Sequence, residues 1–111
     1  MVEEVKFDDW KKLDLRIGTV IDVQDHPNAD KLYVVDVDLG SEKIKVVAGL
    51  KNHYSPKELK GKQCVVFRNL EPKEIRGIKG EGMILAASNE DKSKIFIISP
   101  EKKIDNGSKI G

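Results

Sequence analysis

The segment RNLEPKEIRGIKGEGMILAA, residues 68–87, holds the residues best suited to chemistry. Lys73, Arg76 and Lys79 follow one another at intervals of three, with Gly77, Gly80 and Gly82 set among and after them. Ammonium and guanidinium groups beside open backbone amides are hydrogen-bond donors suited to an anion, and phosphate uses such donors well. Arg76 is the strongest single candidate, because a guanidinium grips phosphate bidentately or stacks on a base. Its competing use is as a surface partner for Glu71 or Glu74. Lys73 and Lys79 would add positive field without specificity. The apolar run Val65-Val66-Phe67 precedes the segment and a second apolar run begins at Met83. The cations therefore read as lying on a loop held between two core strands, where a rigid scaffold presents a binding site.

Charge is distributed unevenly along the chain. The net charge is only +1, yet residues 1–42 hold five Lys/Arg against eleven Asp/Glu, a net of -6. Residues 43–79 hold ten Lys/Arg against three Glu, a net of +7, and residues 80–111 balance at five against five. A contiguous basic block in a nearly neutral chain is the footprint expected for a polyanion, unless folding mixes the charges over the surface.

Several function classes find no support. His26 and His53 lie far apart, and although HPNAD (26–30) offers His26 and Asp30 to a metal, no second cluster supplies the remaining ligands. No nucleophile–base order, paired-acid arrangement or phosphate loop is apparent, so a non-catalytic module without metal or cofactor is expected. No apolar run approaches the roughly 20 residues of a membrane-spanning helix. The start MVEEVKFDDW is acidic and lacks an apolar signal region, which points to the cytoplasm. Cys64 is the only cysteine, so no internal disulfide can form, and its place in CVVF suggests a buried strand thiol. Three Phe, two Tyr and one Trp are too few for the extended stacking platform of a generic single-strand binder.

The elements that must position the cations follow a period of two. Leu13, Leu15, Ile17, Thr19, Ile21 and Val23 alternate with mostly polar residues and predict a long first strand, with a bulge or bend at Gly18. Residues 32–39 predict a second strand with Val35, Val37 and Leu39 inward, and Gly40-Ser41 turns the chain into a third, Lys43 to Ala48. Ser55-Pro56-Lys57-Glu58 followed by Gly61 carries the start and stop signals of a short helix. Gln63 to Asn69, Met83 to Ser88 and Lys94 to Ser99 predict three further strands, and Phe7 to Leu13 a leading helix capped by Asp8. Residues 1–111 thus read as one all-β domain. Five to six strands, with a short helix between the third and fourth, give the order of an oligonucleotide-binding (OB) Greek-key barrel. An SH3-like barrel is the competing architecture, and the helix position and long curved first strand favour the OB fold.

DLRIGTVIDVQDHPNADKLYVVDVDLG, VVAGL and NLEPKEIRGIKGEGMILAA, in that order and spacing, resemble the tRNA-binding domain family. That family includes the appended C-terminal domain of methionyl-tRNA synthetases and free-standing structure-specific tRNA-binding proteins. The resemblance implies an OB fold, a homodimer, and sequence-tolerant recognition of tRNA shape. It also implies a role in trans, or as the non-catalytic beta subunit or appended domain of methionyl-tRNA synthetase, with the catalytic chain as partner. The alternative is a chaperone-like peptide-binding dimer, similar to the bacterial secretion chaperone related to this family. By the same resemblance Lys31 matches an almost fixed position and becomes a phosphate contact. Asn69 matches an asparagine at a strand end, which reads a base or sugar or else ties down the turn before Pro72. Met83 is placed at the site rim, although its position at the start of a strand suggests the core. Two departures stand out: Gly80 replaces a usual serine, and Ile44 stands between Lys43 and Lys45 where an arginine is common. The homodimer is expected to form through the flanking segments, from Phe7 to Leu13 with Trp10, and from the run Ile95-Phe96-Ile97-Ile98, whose two apolar faces both want cover.

Overall fold

The computed structural model describes residues 2–111. In chain order the elements are α1 (Phe7–Trp10), β1 (Leu15–Asp25), β2 (Tyr33–Asp38), β3 (Lys43–Ala48), α2 (Pro56–Leu59), β4 (Gln63–Phe67), β5 (Lys73–Ile75), β6 (Ile78–Gly80), β7 (Met83–Ile84), β8 (Ala86–Ser88) and β9 (Ile95–Ile97). Five strands form an antiparallel sheet in the order β3-β2-β1-β4-β7. The Glu81 N–H donates to the Lys45 carbonyl at 2.9 Å, which brings the segment before β7 back to β3 and closes the barrel. With α2 between β3 and β4, this is the OB connectivity that the sequence predicts.

β1 alternates differently from the expected single inward face. Leu15 and Ile17 pack with Val65 in an outer cluster, while Val20 and Val23 belong to the main core. Alternation alone sets Leu15 and Ile17 on one face and Val20 on the other. Val20 then pairs with Val37 and Asp22 with Asp36, which leaves Ile21 unpaired as a bulge, and this inserted residue brings Val23 onto the face of Val20. The bulge is thus at Ile21 and not at Gly18. Gly18 is required for a different reason, since a Cβ there would lie 2.5 Å from Val37 Cγ1 and 2.9 Å from Leu39 Cδ2.

Other boundaries also move. α1 is one turn with Lys6 at its N-cap and no side-chain cap, so Asp8 lies within the first turn and does not cap a helix reaching Leu13. An uncapped segment of this length has little to propagate it. α2 matches its signals: Ser55 Oγ accepts from the Glu58 N–H at 3.2 Å and Glu58 Oε1 from the Ser55 N–H at 2.8 Å. The expected fifth strand breaks at Leu85 into β7, which pairs with β4, and β8, which pairs with β9. Ile95 and Ile97 pack against the main core, but Phe96 is 57% exposed and Ile98 42%, so the run buries one face where two were expected. The C-terminal segment runs beside β1, with Gly107 N–H to Ile17 O at 2.7 Å and Ile110 N–H to Leu15 O at 2.8 Å. Cys64 is fully buried, and burial pushes its thiol up to about 12.

Candidate nucleic-acid interface

The segment expected as a loop is a hairpin. β5 and β6 pair with Lys73 opposite Gly80, Glu74 opposite Lys79 and Ile75 opposite Ile78. Arg76 and Gly77 form the two-residue turn between them, with φ of 51° and 89°. Two positive φ angles at a hairpin tip define a type I′ turn, where Asn-Gly is the preferred pair. Glycine meets this demand at 77, whereas a left-handed conformation costs an ordinary L residue about 1–2 kcal/mol. Arg76 is held in it all the same, exposed at the tip. No ion pair among the described residues involves Arg76, so neither Glu71 nor Glu74 takes it as partner.

A spacing of three on an extended hairpin does not gather cations on one face. Lys73 shares a face with Ile75, and Lys79 lies on the other face, opposite Glu74. Arg76 instead meets the loop between β1 and β2. Residues 28–32 with Ile75 and Arg76 line a cleft of about 360 Å³, which brings Lys31 and Arg76 to one site. Lys31 is exposed and free of ion pairs among the described residues, and Asp30 is the acid on the rim.

His26, which the sequence offers only as an incomplete metal ligand, joins the two walls. It is 4% exposed. Its backbone N–H donates to the Leu32 carbonyl at 3.0 Å and closes the loop. Its Nδ1 accepts from the Asn28 N–H at 3.0 Å, so Nε2 carries the proton and donates to the Ile75 carbonyl at 2.9 Å. Asn28 Nδ2 adds a longer bond to the Arg76 carbonyl at 3.4 Å. The available signal was a ring nitrogen two residues before a free backbone N–H, in a loop that begins His-Pro.

The remaining candidates lie elsewhere. Asn69 Oδ1 accepts from the Asp14 N–H at 2.8 Å and its Nδ2 donates to the Lys12 carbonyl at 2.7 Å. Its amide thus ties down the lead-in to β1 and not the turn before Pro72. Met83 is 42% exposed opposite Phe67, at the surface and outside the core that its strand position suggested. Gly80 is buried, and the nearest atoms to a Cβ there would be the Lys73 carbonyl oxygen at 3.6 Å and Val47 atoms at 3.7 and 3.9 Å, ordinary contacts that leave room for a serine Cβ. Ile44 is 2% exposed in the core, with Lys43 and Lys45 on the opposite, solvent face.

Folding partly mixes the two charge blocks. Lys45 pairs with Asp36 at 2.9 Å, Lys51 with Asp25 at 3.4 Å, and Arg68 grips Glu42 at 3.0 and 2.9 Å. Arg16 holds Asp14 in the same bidentate way, at 2.8 and 2.7 Å. The Arg16 guanidinium hydrogen-bonded to Asp14 holds that carboxyl below its ordinary range, and Arg68 does the same for Glu42. These two arginines are structural. Lys43, Lys57, Lys60, Lys62, Lys73, Arg76 and Lys79 stay without an acidic partner among the described residues.

The cleft lies between the loop joining the first two barrel strands and the hairpin joining the fourth and fifth. OB barrels bind oligonucleotides and oligosaccharides through this pair of loops, so fold and site define an OB binding module. Residues 15–109 match the family described as "Putative tRNA binding domain", and the chain belongs to that family. It is 53% identical over 109 residues to the methionine–tRNA ligase of Thermococcus onnurineus, covering 98% of this chain and 15% of the ligase. It therefore spans about one seventh of that relative's length. Among solved structures, a MetRS related protein from Pyrococcus horikoshii superposes with a TM-score of 0.92 at 28% identity, covering 99% of this chain and 100% of that one. The chaperone CsaA of Bacillus anthracis superposes with a TM-score of 0.88 at 30% identity, covering 98% and 100%.

Proposed function

We propose that this chain is a non-catalytic tRNA-binding module that recognises the folded shape of tRNA and tolerates its sequence. The observation that carries this is the convergence of Lys31 and Arg76, both without acidic partners among the described residues, on one cleft between the two OB binding loops. Ammonium and guanidinium groups contact phosphate chiefly, and phosphate contacts position a complex without reading bases. Lys73 and Lys79 stand exposed on the hairpin that carries Arg76 and add positive field, and the exposed Met83 offers a thioether on β7. Asn69, whose amide already bonds the backbone, acts as a support. The kinship with a methionine–tRNA ligase supports a role as appended domain or beta subunit of methionyl-tRNA synthetase in the cytoplasm, where the module raises the local tRNA concentration for the catalytic chain. The exposed Phe7, Phe96 and Ile98 support a homodimer through the flanking segments, and sedimentation at the 12.4 kDa chain mass at micromolar concentration would refute that part.

Fluorescence anisotropy tests the RNA reading. Folded tRNAs of different acceptor identity should bind with similar affinity, and unstructured RNA of equal length more weakly. Arg76→Ala should weaken all tRNAs by a similar factor and lower the salt slope by roughly one counterion. A loss confined to one tRNA, at unchanged slope, would sink it. The CsaA likeness and the exposed Phe96 favour a second reading as a peptide-binding chaperone. Unfolded peptide that binds more tightly than tRNA, and is not displaced by it, would select that one.

A further inference from the structure

We infer that His26 is a positioning residue that fixes the separation of Lys31 and Arg76 by tethering the loop between β1 and β2 to the tip of the β5–β6 hairpin. The inference rests on the proposed tRNA binding and assigns a specific task within that site. Three bonds converge on this one residue. Its backbone closes the loop at Leu32, its Nδ1 orders the turn at Asn28, and its Nε2–H reaches the Ile75 carbonyl, one residue before Arg76. Lys31 follows Asn28 by three residues on the loop so ordered. Elsewhere the hairpin meets the barrel along β6, where Gly80 lies beside Val47 of β3, and through the Glu81 N–H to the Lys45 carbonyl, at the end far from the tip. The imidazole bond, with the longer one from Asn28, is therefore what holds the tip.

A rigid spacing matters because a site that recognises phosphates by their separation loses affinity when its cations must be ordered on binding. It also explains why a strained turn is tolerated at Arg76. Loosening the tip would let the guanidinium wander while leaving its charge in place.

The two ring bonds can be separated by substitution in the full chain. Asparagine at 26 places Oδ1 where Nδ1 lies and keeps the bond from the Asn28 N–H, but cannot reach Ile75. Glutamine places an N–H where Nε2 lies and keeps the bond to Ile75. With an unmodified methionine-accepting tRNA transcript as probe, His26→Asn should lose roughly threefold to tenfold in affinity with an unchanged salt slope, and His26→Gln should stay within about twofold of wild type. Imidazole ¹⁵N shifts of the wild type should show the Nε2–H tautomer. Amide ¹⁵N relaxation should show Arg76 and Gly77 more mobile in His26→Asn than in His26→Gln.

A wild-type Nδ1–H tautomer, equal tip mobility in the two variants, or wild-type affinity in a folded His26→Asn would each overturn the tether. Wild-type protein that binds no tRNA would overturn the proposed function instead, and the tautomer and relaxation measurements still decide the tether. Should His26→Asn fail to fold, the wild-type tautomer and the affinity of His26→Gln carry the test.

Discussion

Arg76→Asn is expected to make the protein more stable and a weaker RNA binder at once. Arg76 has φ of 51° at the first central position of a type I′ turn. Asparagine is preferred there, because its short side chain bonds locally and tolerates the left-handed region. Relief of about 1 kcal/mol of backbone strain follows, and in a domain near this size about 1 kcal/mol raises Tm by about 4 °C. Binding moves the opposite way. Loss of one charge-assisted phosphate contact of about 1.5 kcal/mol lowers affinity roughly tenfold and the salt slope by about 0.7 to 0.9.

Arg76→Ala separates the two effects. Alanine is an ordinary L residue in that turn and should lose affinity as asparagine does, with little gain in Tm. Thermal unfolding by circular dichroism and anisotropy titrations at several salt concentrations read both quantities. An Arg76→Asn protein that melts below wild type would show that the arginine side chain supports the hairpin, and the strain argument would be wrong. Wild-type affinity and slope in Arg76→Ala would remove Arg76 from the interface.

Acid should destabilise the fold through named carboxylates. Asp14, Glu42 and Glu58 are held below their ordinary values by hydrogen bonds from Arg16, from Arg68 and from the Ser55 backbone. Their stabilisation is full above the unfolded carboxylate range near pH ~4 and is lost as pH falls through the folded values. Tm should therefore hold from neutral pH to about 5 and drop below about 4, less steeply in Arg68→Met, and equal acid limbs in the two proteins would refute the Glu42 share. Gly18→Ala should cost about 1–3 kcal/mol by overpacking, because its Cβ would fall 2.5 Å from the buried Val37, and an unchanged Tm would show that β2 yields. Gly80→Ser should fold as wild type and bind tRNA roughly twofold to tenfold tighter through its added hydroxyl. Unchanged affinity would mean that the hydroxyl serves the Lys73 carbonyl instead.

The barrel was legible because its strands obey local rules. Val35, Val37 and Leu39 point inward as alternation demands, and the Ser55–Glu58 capping box with its following Gly61 marks α2. What escaped was tertiary. The bulge at Ile21 leaves no composition signal, since it is set by how β2 pairs and not by a glycine in β1. The hairpin at 73–80 was hidden by charge, because Lys73, Glu74 and Lys79 lie on exposed strands with little apolar alternation. At the candidate site, Arg76 was singled out by its type and Lys31 by the family resemblance, and their role there is the one proposed. Their meeting was not legible, because it depends on a hairpin docking beside a loop far earlier in the chain, as the bond between Asn28 and Arg76, 48 residues apart, shows.

The charge pattern and the strained turn belong to one arrangement. The acidic first third supplies Asp36, Asp25 and Glu42 to neutralise Lys45, Lys51 and Arg68, cations on or beside the sheet. Arg76 and Lys31 receive no such partner among the described residues, although Asp30, Glu71 and Glu74 lie close to them in sequence. Local sequence thus offers neutralisation at the site, and the folded geometry declines it. A type I′ turn throws Arg76 outward at the tip, and the imidazole of His26 anchors that tip against the loop bearing Lys31. Natural proteins tend to break local rules at functional sites, and here the broken rule is an arginine where asparagine fits better. A surface selected for stability alone would carry Asn-Gly at 76–77 and an ion pair at 31. Position 76 is Arg and no ion pair among the described residues involves Lys31, which is the arrangement expected when these two cations serve a ligand.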